Sequence, residues 1–152
     1  MLLMSFEGGH VIRIEQGEEV ISALSAFCEQ ENIEAGTFHG IGAVTGARLG
    51  YYDHETGEYT ERVFEEGMEV VAFSGNISRK AQETLFPHAH IIISNRQMET
   101  FGGHCFQAYA MPTLEIILSV IPGALRRIQI PGKAAQLLDL QGNPAGTHAQ
   151  NM

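Results

Sequence analysis

The chain has 152 residues, 44% hydrophobic and 18% charged, with nine Lys and Arg against eighteen Asp and Glu and a formal charge of −9. That length fits one domain burying roughly two thirds of its unfolded surface, and the composition is too apolar for a disordered chain. The acidic balance disfavours nucleic acid as a partner, because Lys and Arg contacts to phosphate supply most non-specific affinity and Arg126-Arg127 is the longest basic run.

The chain opens on Met1, Leu2, Leu3 and Met4 with no basic residue and an early Glu7, so no signal peptide is expected. Residues 10–14 (His10-Val11-Ile12-Arg13-Ile14) alternate with strand period. The period then changes. Val20, Ile21, Leu24, Phe27 and Cys28 form an apolar stripe that predicts one amphipathic helix over residues 18–31, with Glu18 and Glu19 at its dipole-positive start. Residues 37–44 read as a glycine-punctuated strand. Residues 47–52 and 59–64 flank the polar turn 53–58 and predict a hairpin. Residues 68–74 form a further strand, and 78–86 lack period and read as a loop or one helical turn. Strands follow at 88–94, 101–109, 114–121 and 125–130, then a short helix at 134–140. One domain is expected over residues 1–140 and a flexible tail over 141–152. No stretch reaches the about 20 apolar residues that span a bilayer, so no membrane partner is expected. Cys28 and Cys105 lack metal or redox spacing and read as free thiols of a reducing, cytoplasmic setting.

These elements predict an α+β fold: a mainly antiparallel or mixed sheet of seven or so strands, with one long helix and short helices packed on it. Most links are too short for helical crossovers.

The segments Gly36-Thr37-Phe38-His39-Gly40-Ile41-Gly42-Ala43-Val44, Met68-Glu69-Val70-Val71-Ala72-Phe73-Ser74-Gly75-Asn76-Ile77, Pro87-His88-Ala89-His90 and Gly102-Gly103-His104 stand in the order of a known domain. With Pro112-Thr113-Leu114-Glu115-Ile116-Ile117-Leu118, the sequence resembles the PPC (plant and prokaryote conserved) domain over about residues 10–130. The resemblance implies a compact α/β sandwich-like unit with helices packed on a mostly antiparallel sheet, assembled as a homotrimer. In land plants such domains follow basic AT-hook segments that enter the DNA minor groove. This chain has no Arg-Gly-Arg-Pro, and it carries Glu66-Gly67-Met68-Glu69-Val70-Val71 where plant members have a partner-binding segment. The family analogy therefore leaves a regulatory or DNA-binding role, and protein partners, as the alternative reading rather than the first.

The first reading comes from histidines. His88 and His90 are two apart on one predicted strand and share a face. If the next strand folds back about Gln97, His104 stands directly across from His90. Three imidazoles on one face suit a first-row divalent metal, zinc being the natural ion, with a position open for water or substrate. The same residues also suit hydrogen-bonded core histidines or a trimer contact without metal. Glu115, inside an apolar strand, is the candidate catalytic residue: it can orient a ligating histidine or act as a base, or else face solvent or pair with Arg126 or Arg127. Glu69 raises the same question. His39 lies among glycines that lack the dinucleotide-binding spacing and reads as tight strand packing. His10, His54 and His148 fall in expected surface regions, and Cys105 reads as a buried thiol.

Overall fold

A computed structural model describes residues 1–141 of the chain. Apart from Gln141, the tail expected over 141–152, His148 included, lies outside the described residues. The elements run β1 (Leu2–Phe6), β2 (Gly9–Ile14), α1 (Val20–Gln30), β3 (Gly36–Tyr52), β4 (Tyr59–Phe64), β5 (Met68–Arg79), β6 (Leu85–Ser94), β7 (Thr100–Val120), β8 (Arg126–Gln129) and β9 (Gln136–Asp139).

This corrects the expected fold class. Among the described residues the chain is mostly one mixed β-sheet with a single 11-residue helix, without a long helix or further helices packed on the sheet. The second expected helix, residues 134–140, is instead β9, with Leu137 and Leu138 paired to Ile128 and Arg127. A segment that short fits either period, and the open edge of β8 decides it. α1 itself follows from its stripe: Val20, Leu24, Phe27 and Cys28 are buried. The Glu19 carboxylate caps it, accepting from the backbone N–H groups of Ile21 (3.1 Å) and Ser22 (2.7 Å).

The sheet closes on itself. β3 pairs with β5, β5 with β6, β6 with β7, and β7 returns to β3, all antiparallel. β1 and β2 extend it beside β7, and the β3–β4 hairpin forms at the expected residues, Ala47↔Phe64 through Tyr52↔Tyr59. The one parallel contact is Arg79↔Arg126, where β8 meets β5. β3 and β7 were each expected as two strands; both run through and bend at register shifts along their shared ladder. Ile12, Ile14, Leu24, Phe38, Phe73, Ile91, Ile93, Leu114, Ile116 and Leu118 fill the core beneath α1. Alternate residues of the same strands, including Ile41, Ile92 and Ile117, point the other way and stay exposed.

Candidate metal centre

A turn fixes the register. Oδ1 of Asn95 accepts from the backbone N–H groups of Gln97 (3.0 Å) and Glu99 (2.9 Å), closing a tight connection between β6 and β7. From there the ladder runs Ser94↔Thr100 to His90↔His104, centred on Gln97 as expected. His88 stands two residues back on the same face. The ring centroids lie 5.2 Å (His88–His90), 5.1 Å (His88–His104) and 5.5 Å (His90–His104) apart. One ring nitrogen from each lies within 4.8 Å of the others. Tetrahedral zinc with Zn–N near 2.0–2.1 Å sets its nitrogens roughly 3.3 Å apart, so side-chain rotation of about 1 Å closes the set.

Two glycines let the strands come this close. A Cβ on Gly75 would stand 2.0 Å from the His88 carbonyl oxygen, and one on Gly103 2.7 Å from that of Gly50. Neither position admits a side chain without moving backbone.

Burial keeps two of the rings neutral. His88 has its pKa lowered to about 4 by burial, helped by the Arg127, His104 and His90 charges. Burial, with His90, Lys80 and Arg127, lowers His104 to about 4 as well. Neutral imidazole is the metal-ligating form, so protons do not compete at neutral pH. The sign for stability follows from linkage. Between pH about 4 and 6.5 the unfolded chain binds protons that folded His88 and His104 refuse, so stability falls as pH drops through that window. Urea melts of metal-free protein should show this loss, and a His88→Asn, His104→Asn double variant should show less of it.

Arg127 constrains the chemistry further. Its Nη2 approaches Nδ1 of His88 at 3.0 Å. A guanidinium only donates, so Nδ1 accepts and the neutral ring carries its proton on Nε2. A metal on Nδ1 would take the lone pair that Arg127 uses. A metal on Nε2 would move the proton to Nδ1, facing a donor. Either way this contact must yield. The loss of one charge-assisted hydrogen bond, about 1.5–3 kcal/mol, is small beside the roughly 10 kcal/mol or more of a structural zinc site. Nδ1 of His104 is buried and has no hydrogen-bond partner, which fits a ligand atom or a group awaiting one.

The cluster opens onto a cleft of about 610 Å³, a size that takes a small molecule. Phe86 and Phe106, two residues from His88 and His104 on the same strands, form part of its wall, with Tyr52, Tyr59, Lys80, Arg127 and Gln136. His54 also lines it, against Tyr52 at 5.2 Å, although its position reads as plain surface in the sequence. Alternation along the strands could have found Phe86 and Phe106. Nothing local marks Arg127 or Lys80, which arrive from β8 and the end of β5.

The structure does not bring Glu115 to this place. It is exposed on the outer sheet face, across from Arg13 and Ile41, and does not line the cleft. Arg126 pairs instead with Glu83. Glu69 on β5 and His39 on β3 are exposed and do not line the cleft, although the register sets His39 two strands from His90 through Ser74, and His10 contacts Ser5 and Phe27. Cys28 and Cys105 are buried free thiols, both pushed up to about 12 by burial, and so inert at neutral pH.

Residues 4–122 match the domain family described as the Plants and Prokaryotes Conserved (PCC) domain. Several solved structures share the fold, three of them as follows. A candidate DNA-binding protein of Bacteroides thetaiotaomicron superposes with a TM-score of 0.86 at 25% identity, over 91% of this chain and 96% of that one. A plant- and prokaryote-conserved (PPC) protein of Pyrococcus horikoshii gives 0.76 at 27%, over 86% and 88%. A metal-containing protein of Archaeoglobus fulgidus gives 0.78 at 30%, over 91% and 99%. No curated protein sequence matches the chain significantly. No helix among the described residues is long and apolar enough to cross a membrane.

Proposed function

The chain belongs to the Plants and Prokaryotes Conserved domain family, and from that premise we propose that it is a metal-binding module holding one zinc ion through His88, His90 and His104. The observation that carries this reading is the convergence of three imidazole nitrogens within 4.8 Å, two of them on rings kept neutral by burial. The likeness to a metal-containing archaeal protein at 30% identity supports it. Three protein ligands leave one position of a four-coordinate ion for water or substrate, and zinc supplies Lewis-acid chemistry when bound. The chain's own part is to present three lone pairs beside a cleft, and to hold His88 through Arg127 only until the ring gives its lone pair to the metal. X-ray absorption on zinc-loaded protein tests the reading. It should show a first shell dominated by imidazole nitrogen near 2.0–2.1 Å. A shell of oxygen alone would reject the histidine set.

The homotrimer is part of the same proposal. Cross-strand pairs His39↔Ile117 and Ile41↔Glu115 place Ile41 and Ile117, 61% and 40% exposed, on one face with no covering element among the described residues. A second copy of the chain is the occupant proposed for that face. Sedimentation should give three times the chain mass, and Ile41→Lys with Ile117→Lys should lower it; a wild-type monomer would refute the assembly.

A DNA-binding role has one observation in its favour, the description of the Bacteroides neighbour. Against it, Arg13, Arg48, Arg79 and Arg126 pair with glutamates and Arg127 is buried, leaving four of the nine basic residues for phosphate in a chain of charge −9. A gel shift at physiological salt decides between the two.

A further inference from the structure

We infer that the cleft beside the histidines takes a small organic oxyanion, a carboxylate or phosphate ester, whose charge is held by Arg127 and Lys80. The inference deepens the metal-site reading by naming the ligand class of the same cleft, though the oxyanion contacts themselves use no metal.

Arg127 is the first ground. It is 5% exposed, and its donors go to Ser78 Oγ, Asn76 Oδ1 and the Gln136 carbonyl, each at 2.8 Å, and to His88 Nδ1 at 3.0 Å. All four partners are neutral. Elsewhere Arg13, Arg48, Arg79 and Arg126 each pair with glutamate, in a chain where acids outnumber bases two to one. A buried guanidinium without a counter-charge is costly, and an oxyanion at its face would remove that cost. Four of its five N–H groups are engaged, so one remains, and the one on His88 is released whenever that ring gives its lone pair to a metal.

The rest of the cleft agrees in sign. Lys80 stands on the same wall with its ammonium 4.1 Å from the centre of the Phe86 ring, and no Asp or Glu lines the space. A cationic hollow in an acidic protein gathers anions locally.

The unmet hydrogen bonds are an independent ground. Among the described residues, the buried side-chain polar atoms without a partner are Tyr52 Oη, His104 Nδ1 and Gln136 Oε1, and all three belong to residues lining this cleft. Buried polar groups are ordinarily satisfied, so their convergence marks a place that a polar ligand completes. Tyr52 can donate to an oxyanion, and Gln136 Oε1 asks for a hydroxyl or amino donor on the same molecule. Tyr59, Phe86 and Phe106 offer flat apolar walls, and about 610 Å³ holds far more than a bare inorganic ion. The ligand is thus an oxyanion carried on an organic body.

The test is calorimetric titration of the full chain with 4-hydroxybenzoate, phenyl phosphate and inorganic phosphate, each with and without zinc. Arg127 ties β8 to β5, so its replacement can unfold the protein; Lys80→Gln and Tyr52→Phe carry the test, with thermal melts confirming the fold. An organic probe should bind at millimolar concentration or below. Lys80→Gln should weaken it about ten-fold. Tyr52→Phe should weaken it several-fold while leaving the melting temperature of the free protein unchanged or higher, since it removes an unsatisfied hydroxyl. The preferred organic probe identifies carboxylate or phosphate as the head group. No binding of either organic probe, binding of inorganic phosphate alone, or organic binding untouched by both substitutions overturns the inference. Organic binding in a protein that takes up no zinc overturns the metal reading and leaves this one standing.

Discussion

Gly75→Ala is expected to destabilise the protein by about 3 kcal/mol or more, and to weaken metal binding with it. The added methyl would stand 2.0 Å from the His88 carbonyl oxygen, 2.9 Å from its carbonyl carbon and 2.5 Å from Cζ of Phe38. None of these obstacles is the free end of a flexible chain. The first two are backbone of β6, and Phe38 is 2% exposed and packed against Phe73 at 5.1 Å between centroids. Overpacking a core typically costs 1–3 kcal/mol, and here relief requires prising β5 from β6. The displaced residue is His88 itself, so the damage reaches the cluster. Gly67→Ala is the control, since a Cβ there meets nothing within 4 Å. Urea midpoints at constant m-value measure both; equal midpoints for the two variants would refute this account of the β5–β6 contact.

Zinc should raise the melting temperature of the wild-type chain, and His90→Ala should abolish that rise. A ligand bound only by the folded state adds about 2.7 kcal/mol at a free concentration 100 times its Kd, several degrees in a domain of this size. His90 is the informative position because it is exposed, whereas His104 is 8% exposed. Removing His90 leaves no cavity, so the metal-free variant should melt close to wild type. His104→Ala would confound lost coordination with lost packing. A zinc-dependent rise that survives in His90→Ala would place the ion elsewhere.

The sequence made the cluster legible because its geometry is local. A tight turn about Gln97 lets residue counting pair His90 with His104, and alternation puts His88 beside them. The same alternation reaches Phe86 and Phe106, whose aromatic character reads as core until the cleft is seen. Arg127 lay beyond such reasoning. It reaches His88 because β8 meets β5 at the single parallel bridge Arg79↔Arg126, a contact between distant segments with no periodic signature. The fold class failed for a related reason. The stripe from Val20 to Cys28 specifies a helix wherever it lies, but residues 134–140 take their state from the neighbouring strand. β3 and β7 read as broken because Gly46, with φ 57°, and Pro112 punctuate them, although the ladder continues past both. Glu115 draws notice by sitting among apolar residues; of its two readings, catalytic residue or solvent-facing side chain, the structure has the second.

The central claim rests on His88, His90 and His104 acting together as one metal site. Its most direct test is metal content after zinc loading and exhaustive dialysis, by mass spectrometry of the element, for the wild-type chain and His90→Ala. The account predicts about one zinc per wild-type chain and essentially none in the variant, with both folded and alike in oligomeric state. A wild-type chain that retains no zinc, or a variant that retains as much, would contradict it.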